Sequence, residues 1–272
     1  MQKINFIKMH GLGNDFVIID RRKKKIKITK KIISKLSDRK TGAGCDQLIT
    51  IEKRKSPNHD ASIKIFNPSG DEAEACGNGT RCVAKILFKE KKRKEIKLHS
   101  KAGILSAKKI NKKIISVNLG KISHYWKDIP ISKKIDTLNM PIKLKKFSLG
   151  IAVNIGNPHI VFIGKNIENF ELEKFGPLIE KNKFFPKKTN VEIIEIINRK
   201  LIKMRVWERG VGITQACGSG ASAAVYACIL KKLTENTVQV KVKKGSLKVK
   251  IEKNQAILSG PAQISYNGYL SL

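Results

Sequence analysis

The chain has 272 residues, enough for one large domain or two of ordinary size, and two is the better reading. Its hydrophobic share of 41% is globular, and no apolar stretch approaches the roughly 18–20 residues of a membrane helix, so no membrane partner is expected. A formal net charge of +34 raises the possibility of a nucleic-acid-binding protein, but only nine of the 56 basic residues are Arg and the lysines are spread along the chain, a pattern that favours a solvated basic surface over specific nucleic-acid recognition.

The N-terminal stretch Met1-Gln2-Lys3-Ile4-Asn5-Phe6 lacks the basic, apolar and small-residue order of a secretory signal, and a cytoplasmic location is expected. Further on, Ile63 and Ile65 alternate with polar neighbours before Asn67, the mark of a half-buried strand leading into a loop around Cys76. The helix after that loop carries Val83, Ala84, Ile86, Leu87 and Phe88, apolar over most of its circumference, and so should be surrounded by protein. Ile96 and Leu98 then alternate up to a glycine turn at Lys101-Ala102-Gly103.

Past a join near Gly120 the same grammar returns. Ile202, Met204 and Val206 alternate before Glu208, a second loop holds Cys217, and an apolar helix carries Ala223, Ala224, Val225, Ala227, Ile229 and Leu230. Val238, Val240 and Val242 lead to Gly245, followed by Leu247, Val249 and Ile251. This is an internal repeat at an offset of about 141. Gly13-Asn14-Asp15 matches Gly156-Asn157-Pro158, Asp46-Gln47 matches Thr189-Asn190, Phe66-Asn67 matches Trp207-Glu208, and the two Cys-Gly-x-Gly loops match each other. The expected fold is α+β, with two pseudo-symmetric domains, each a curved strand-rich sheet or barrel wrapped around a central helix. The expected boundaries are residues 1–119, with 264–272 returning to them, and residues 120–263.

Each loop joins a cysteine to a helix start through glycines. Backbone N–H groups can there converge on one point and, with the partial positive charge of the helix N-terminus, cradle a carboxylate and favour a thiolate. Two such loops related by a pseudo-dyad suit stereoinversion, in which one thiolate takes a proton from a carbon and the other thiol returns one to the opposite face. Their titrations would be coupled. Cys45, Cys82 and Cys228 lie outside the repeated loops and read as packing residues. The five cysteines have neither disulfide nor zinc spacing.

The stretches Met9-His10-Gly11-Leu12-Gly13-Asn14-Asp15-Phe16, Ala75-Cys76-Gly77-Asn78-Gly79-Thr80-Arg81, Gly156-Asn157-Pro158-His159, Trp207-Glu208-Arg209-Gly210 and Ala216-Cys217-Gly218-Ser219-Gly220 resemble the diaminopimelate epimerase family in order and spacing. The resemblance implies an isomerase of lysine and peptidoglycan precursor biosynthesis that interconverts LL- and meso-diaminopimelate with no cofactor, neither pyridoxal phosphate nor metal. It implies Cys76 and Cys217 as the acid–base pair, with His159 and Glu208 assisting. Substrate contacts would come from Asn14, Gln47, Asn67, Gly77, Asn78, Asn157, Asn190, Glu208, Arg209, Gly218 and Ser219. It further implies a homodimer with Tyr266 at the contact. Ile213 departs from the family's usual Glu at that position, which bears on how the second loop is held. The alternatives from other classes are a proline or hydroxyproline racemase and a basic nucleic-acid-binding protein.

Overall fold

Local chemistry sets the first turn: Leu12 and Gly13 both take positive φ, 56° and 88°, which closes a two-residue hairpin whose twist suits the strands on either side. In this computed structural model, which describes residues 3–24, 26–74 and 76–271, that hairpin joins β1 (Lys3–Gly11) to β2 (Asn14–Asp20). There follow α1 (Lys30–Ser37), β3 (Gln47–Glu52), β4 (Ala61–Phe66), the two-residue β5 (Glu72–Ala73) and the 14-residue α2 (Gly77–Glu90). β6 (Glu95–Ser100), β7 (Gly103–Lys109) and β8 (Ile114–Lys121) come next.

The second series is β9 (Met140–Lys143), β10 (Leu149–Asn154), β11 (Pro158–Ile163), α3 (Leu172–Glu180), β12 (Asn190–Asn198), β13 (Leu201–Glu208), β14 (Gly212–Ile213) and α4 (Gly218–Leu230). It ends with β15 (Thr237–Val242), β16 (Gly245–Glu252) and β17 (Gln255–Pro261), before the final β18 (Gln263–Ser271). Contacts divide the chain into one unit of Met1–Val117 with Gly260–Leu272 and a second of Asn118–Ser259. Ala75 of the first cysteine loop and the terminal Leu272 lie outside the described residues.

Within the first unit β1 pairs antiparallel with both β18 and β2. β2 pairs parallel with β3, β3 antiparallel with β4, β4 parallel with β6, and β6 antiparallel with β7. The second unit repeats this ladder by ladder. β10 pairs antiparallel with β9 and β11, β11 parallel with β12, β12 antiparallel with β13, β13 parallel with β15, and β15 antiparallel with β16. The registers agree as well: the parallel ladders begin at Phe16 opposite Gln47 and at His159 opposite Asn190. The α+β class and its two-fold repetition, expected from the sequence, are thus present in the hydrogen bonding.

In each unit a helix lies inside the strands. α2 buries every residue from Gly77 to Phe88 except Lys85, and α4 buries most of its length, down to Cys228. Ala221, Ala223, Ala224, Val225 and Ala227 are fully buried, which the small side chains of α4 permit where strands approach from several sides. None of the helices among the described residues is long and apolar enough to cross a membrane.

A second helix braces the end of β13. α3 lays Gly176 on Trp207, and a Cβ added there would stand 2.6 Å from Cγ and 2.7 Å from Cδ2 of the indole. The ring cannot swing away freely, because its Nε1 donates to Glu180 Oε2 at 2.7 Å. Gly176→Ala therefore sets a helix-propensity gain of about 1 kcal/mol against overpacking that costs about 1–3 kcal/mol. The overpacking should win, and urea unfolding should show a lower midpoint for the variant; a midpoint raised by the substitution would contradict this packing.

Candidate active site

Both inner helices start in the same unusual way. The N-cap positions are Cys76 and Cys217, in extended backbone conformation, where Ser, Thr, Asp or Asn is usual. Each sulfur accepts from the backbone N–H three residues on: Gly79 N donates to Cys76 Sγ at 3.4 Å and Gly220 N to Cys217 Sγ at 3.3 Å. The glycines make this approach possible. A Cβ on Gly79 would lie 2.5 Å from Ile49 Cδ1, and one on Gly220 would lie 2.7 Å from Glu192 Oε1.

In the first unit the predicted contact residues cluster at strand starts and ends near this helix. Asn14 opens β2, Gln47 opens β3 and Asn67 follows β4. Gln47 Nε2 donates to Asn67 Oδ1 at 3.1 Å, and Asn78 Nδ2 to Asn14 Oδ1 at 3.0 Å. Asn14 is itself anchored, its Nδ2 donating to Asp46 Oδ2 at 2.8 Å. Asp46 belongs to a charged cluster: Arg39 bridges it to Asp15, and Asp15 also pairs with Lys8 at 2.6 Å. Burial and the charge of Asp15 push the Asp46 carboxyl above its ordinary range. Burial works to raise Asp15 too, but Arg39 and Lys8 outweigh it and hold that carboxyl low.

Beyond Asn78 lies Arg81, completely buried, whose Nη2 donates to Asn78 Oδ1 at 2.8 Å and whose Nε donates to Pro261 O at 3.4 Å. Burial pushes its guanidinium down to about 10, opposed by the negative charge that the nearby Cys82 and Cys76 carry when ionised, so it remains a cation at neutral pH. Among the described residues no carboxylate forms an ion pair with it, and its Nη1 has no hydrogen-bond partner. The first unit thus presents its thiol over a buried positive charge.

The second unit presents its thiol among negative ones. His159, on β11, places Nδ1 2.7 Å from Glu192 Oε1 and Nε2 2.9 Å from Asn157 Oδ1, with His159 and Glu192 both fully buried. Asn190 Nδ2 donates to Pro158 O at 2.8 Å, and Arg209 N donates to Asn190 Oδ1 at 2.9 Å. Glu208, at the end of β13, accepts from the Thr214 hydroxyl. Gly218 and Ser219 form the first turn of α4, with Ser219 Oγ 3.4 Å from Cys217 Sγ. Burial first, then the charges of Glu208 and Glu192, push the Cys217 thiol well up, against the pull of Ser219 and the Gly220 N–H.

This constellation lies on a chain whose residues 6–125 and 151–265 match the sequence profile of the diaminopimelate epimerases. A diaminopimelate epimerase of Pelagibacter ubique is 44% identical over 264 residues, 95% of either chain. The chain belongs to the diaminopimelate epimerase family. A second relative of that name, from Buchnera aphidicola, is 40% identical over 274 residues, 99% of this chain and 96% of its own. In fold the chain is similar to a probable proline racemase of Agrobacterium radiobacter, with a TM-score of 0.74 at 13% identity, covering 99% of this chain and 93% of that one.

Ile213, where the family usually has Glu, sits in β14 opposite Trp207 and is 38% exposed. The segment Glu208-Arg209-Gly210 is held from beneath by Glu180, which accepts from Trp207 Nε1 and from Gly210 N at 3.1 Å. Arg209 also donates through Nη1 to Lys187 O at 3.2 Å. Tyr266, on β18, is 47% exposed and donates to Ala43 O at 3.2 Å. Sequence reasoning passed over Glu192, Arg81, Glu180 and the cluster of Lys8, Asp15 and Asp46. For Arg81 a signal was available, since a cation on a helix walled in by strands has no route to water.

Two outcomes follow from these thiols. Cys217 should react slowly with iodoacetamide at neutral pH, because the thiolate is the nucleophile, and Glu208→Gln should speed that reaction several-fold by removing a negative neighbour; equal rates would contradict the electrostatic assignment. Burial also raises Cys82 and Cys228 to about 12, above an ordinary 9.0. From pH 9 upward an unfolded chain loses these protons while the native one keeps them, so the native state binds more protons and its stability falls as pH rises toward 12. Urea midpoints for the wild type should therefore drop over this window, and less steeply in Cys82→Ser/Cys228→Ser.

Proposed function

We propose that this protein is a cofactor-independent isomerase that interconverts LL- and meso-diaminopimelate, with Cys76 and Cys217 as its acid–base pair. The observation that carries the reading is a repeated N-cap thiol, one per unit at matching ladder positions, on a chain that the family matches almost from end to end. In one direction a thiolate removes the α-proton, forming S–H, and the C–H electron pair moves toward the substrate carboxylate. The other thiol gives its proton to the opposite face of the same carbon and becomes the thiolate. The enzyme finishes with the two protonation states exchanged, ready for the reverse reaction.

The N–H groups at the starts of α2 and α4 are suited to stabilise charge on the carboxylate as the proton leaves. Asn14, Gln47, Asn67, Asn78, Asn157 and Asn190 supply amide donors and acceptors, and Arg209 a cation, for the ammonium and carboxylate at the far end of the substrate. Glu208 and His159 support proton movement. A proline-racemase activity would share the fold, yet a likeness of 13% identity carries no substrate with it.

We extend the reading to a cytoplasmic homodimer, with a second copy seated on β18. That strand pairs with β1 and carries the exposed aromatic rings of Tyr266 and Tyr269, 47% and 58% accessible.

Purified protein incubated with meso-diaminopimelate and no added cofactor should form the LL isomer, resolved by chiral chromatography. Cys76→Ala and Cys217→Ala should each lower that rate by at least about a thousandfold, as loss of an essential proton-transfer group does. Cys45→Ala, Cys82→Ala and Cys228→Ala should lose stability alone. Full activity in either loop variant would overturn the assignment.

A further inference from the structure

The two units match strand by strand, so a place where matched residues differ in kind is informative. Phe16 and His159 open equivalent parallel ladders, and Ile49 and Glu192 lie two residues beyond their ladder partners Gln47 and Asn190. The first pair packs against the third residue of α2, and Glu192 of the second pair packs against the third residue of α4. A Cβ on Gly79 would meet Ile49 at 2.5 Å and Phe16 at 3.4 Å, and one on Gly220 would meet Glu192 at 2.7 Å. All four side chains are completely buried. The fold itself therefore accepts a purely apolar pair at this position, and in the first unit it has one.

A carboxylate and an imidazole in the same setting cost desolvation that Phe and Ile do not. Glu192 does not recover that cost by knitting the structure together: Oε1 meets His159 Nδ1, and Oε2 has no hydrogen-bond partner. What the pairing does fix is the imidazole. With Oε1 accepting at 2.7 Å, the proton on Nδ1 is held in place, and Nε2 becomes the atom that gains or loses one. Nε2 faces the side-chain amide of Asn157 at 2.9 Å, and an amide can serve either state, its oxygen accepting from Nε2–H or its NH2 donating to a bare Nε2.

We infer that Glu192 is a positioning residue for proton transfer: it holds His159 as the Nδ1–H tautomer, so that Nε2 exchanges protons, and its charge offsets the imidazolium formed when Nε2 takes one up. The inference rests on the proposed two-cysteine reaction, in which His159 supports proton movement. Glu192 is completely buried and is assigned a role through His159 alone.

Four variants and one spectrum test it. Glu192→Gln keeps the shape and an accepting oxygen but removes the charge, and should lower kcat on the order of 10-fold to 100-fold while leaving KM within about twofold. The double variant His159→Phe/Glu192→Ile copies the apolar pair of the first unit and should melt cooperatively, yet lose at least about a hundredfold in kcat. Long-range 15N spectra of the histidine-labelled protein should show His159 protonated at Nδ1 in the wild type and should lose that pattern in Glu192→Ile. Wild-type kcat in Glu192→Gln and in the double variant, or a His159 bare at Nδ1, would overturn the inference. Cys217→Ala, assayed alongside, separates the two levels. If it is inactive while the Glu192 variants are normal, only the role of Glu192 falls; if it is fully active, the two-cysteine reading falls and takes this inference with it.

Discussion

The structure depends on one local interaction made twice: a thiol at a helix N-cap accepting the backbone N–H of the third helical residue. Sulfur is a weak acceptor, so the arrangement is a poor way to start a helix if stability were the only demand. It requires glycine at the donor position, since Gly79 and Gly220 have no room for a Cβ. It also requires that strands surround the helix, because a thiol placed in water would gain little from the helix field. The strands, the short side chains of α4 and the bracing of β13 by α3 all serve to hold these two helix starts.

The two units repeat one frame and differ in what surrounds their thiols. Ladder for ladder the units are alike, yet one thiol lies near a buried guanidinium and the other near two carboxylates. A positive neighbour favours thiolate and negative neighbours favour thiol. In the proposed reaction one thiol acts as base and the other as acid before they exchange roles, and a charge difference of this kind bears on which of them holds the proton at rest. The buried pair of His159 and Glu192, against Phe16 and Ile49 in the matching place, belongs to the same divergence.

Much of the architecture could be read from residues alone, because it rests on patterns that repeat. The alternation of Ile202, Met204 and Val206, the apolar circumference of both helices and the offset between the Cys-Gly-x-Gly loops all have direct counterparts in the ladders and burial. Glu192 was not legible for a physical reason. It lies in the run Asn190-Val191-Glu192-Ile193-Ile194, every residue of which is buried, in a strand paired on both sides. Alternation assumes one wet face, and in a strand covered on both faces a charged residue gives no sign of which way it points. The cluster of Lys8, Asp15, Arg39 and Asp46 escaped notice because its members come from β1, β2 and the α1–β3 loop, and it takes the β1–β2 hairpin and the parallel crossover together to gather them.

The central proposal is that two separate thiols, Cys76 and Cys217, handle the proton of one carbon, and isotope labelling in heavy water tests it most directly. Early in the reaction, product isolated from LL- or meso-diaminopimelate should carry deuterium at the inverted carbon while recovered substrate carries little, because the base that removes the proton is not the acid that delivers its replacement. Equal early labelling of substrate and product would mean that a single group serves both faces, and would contradict the account.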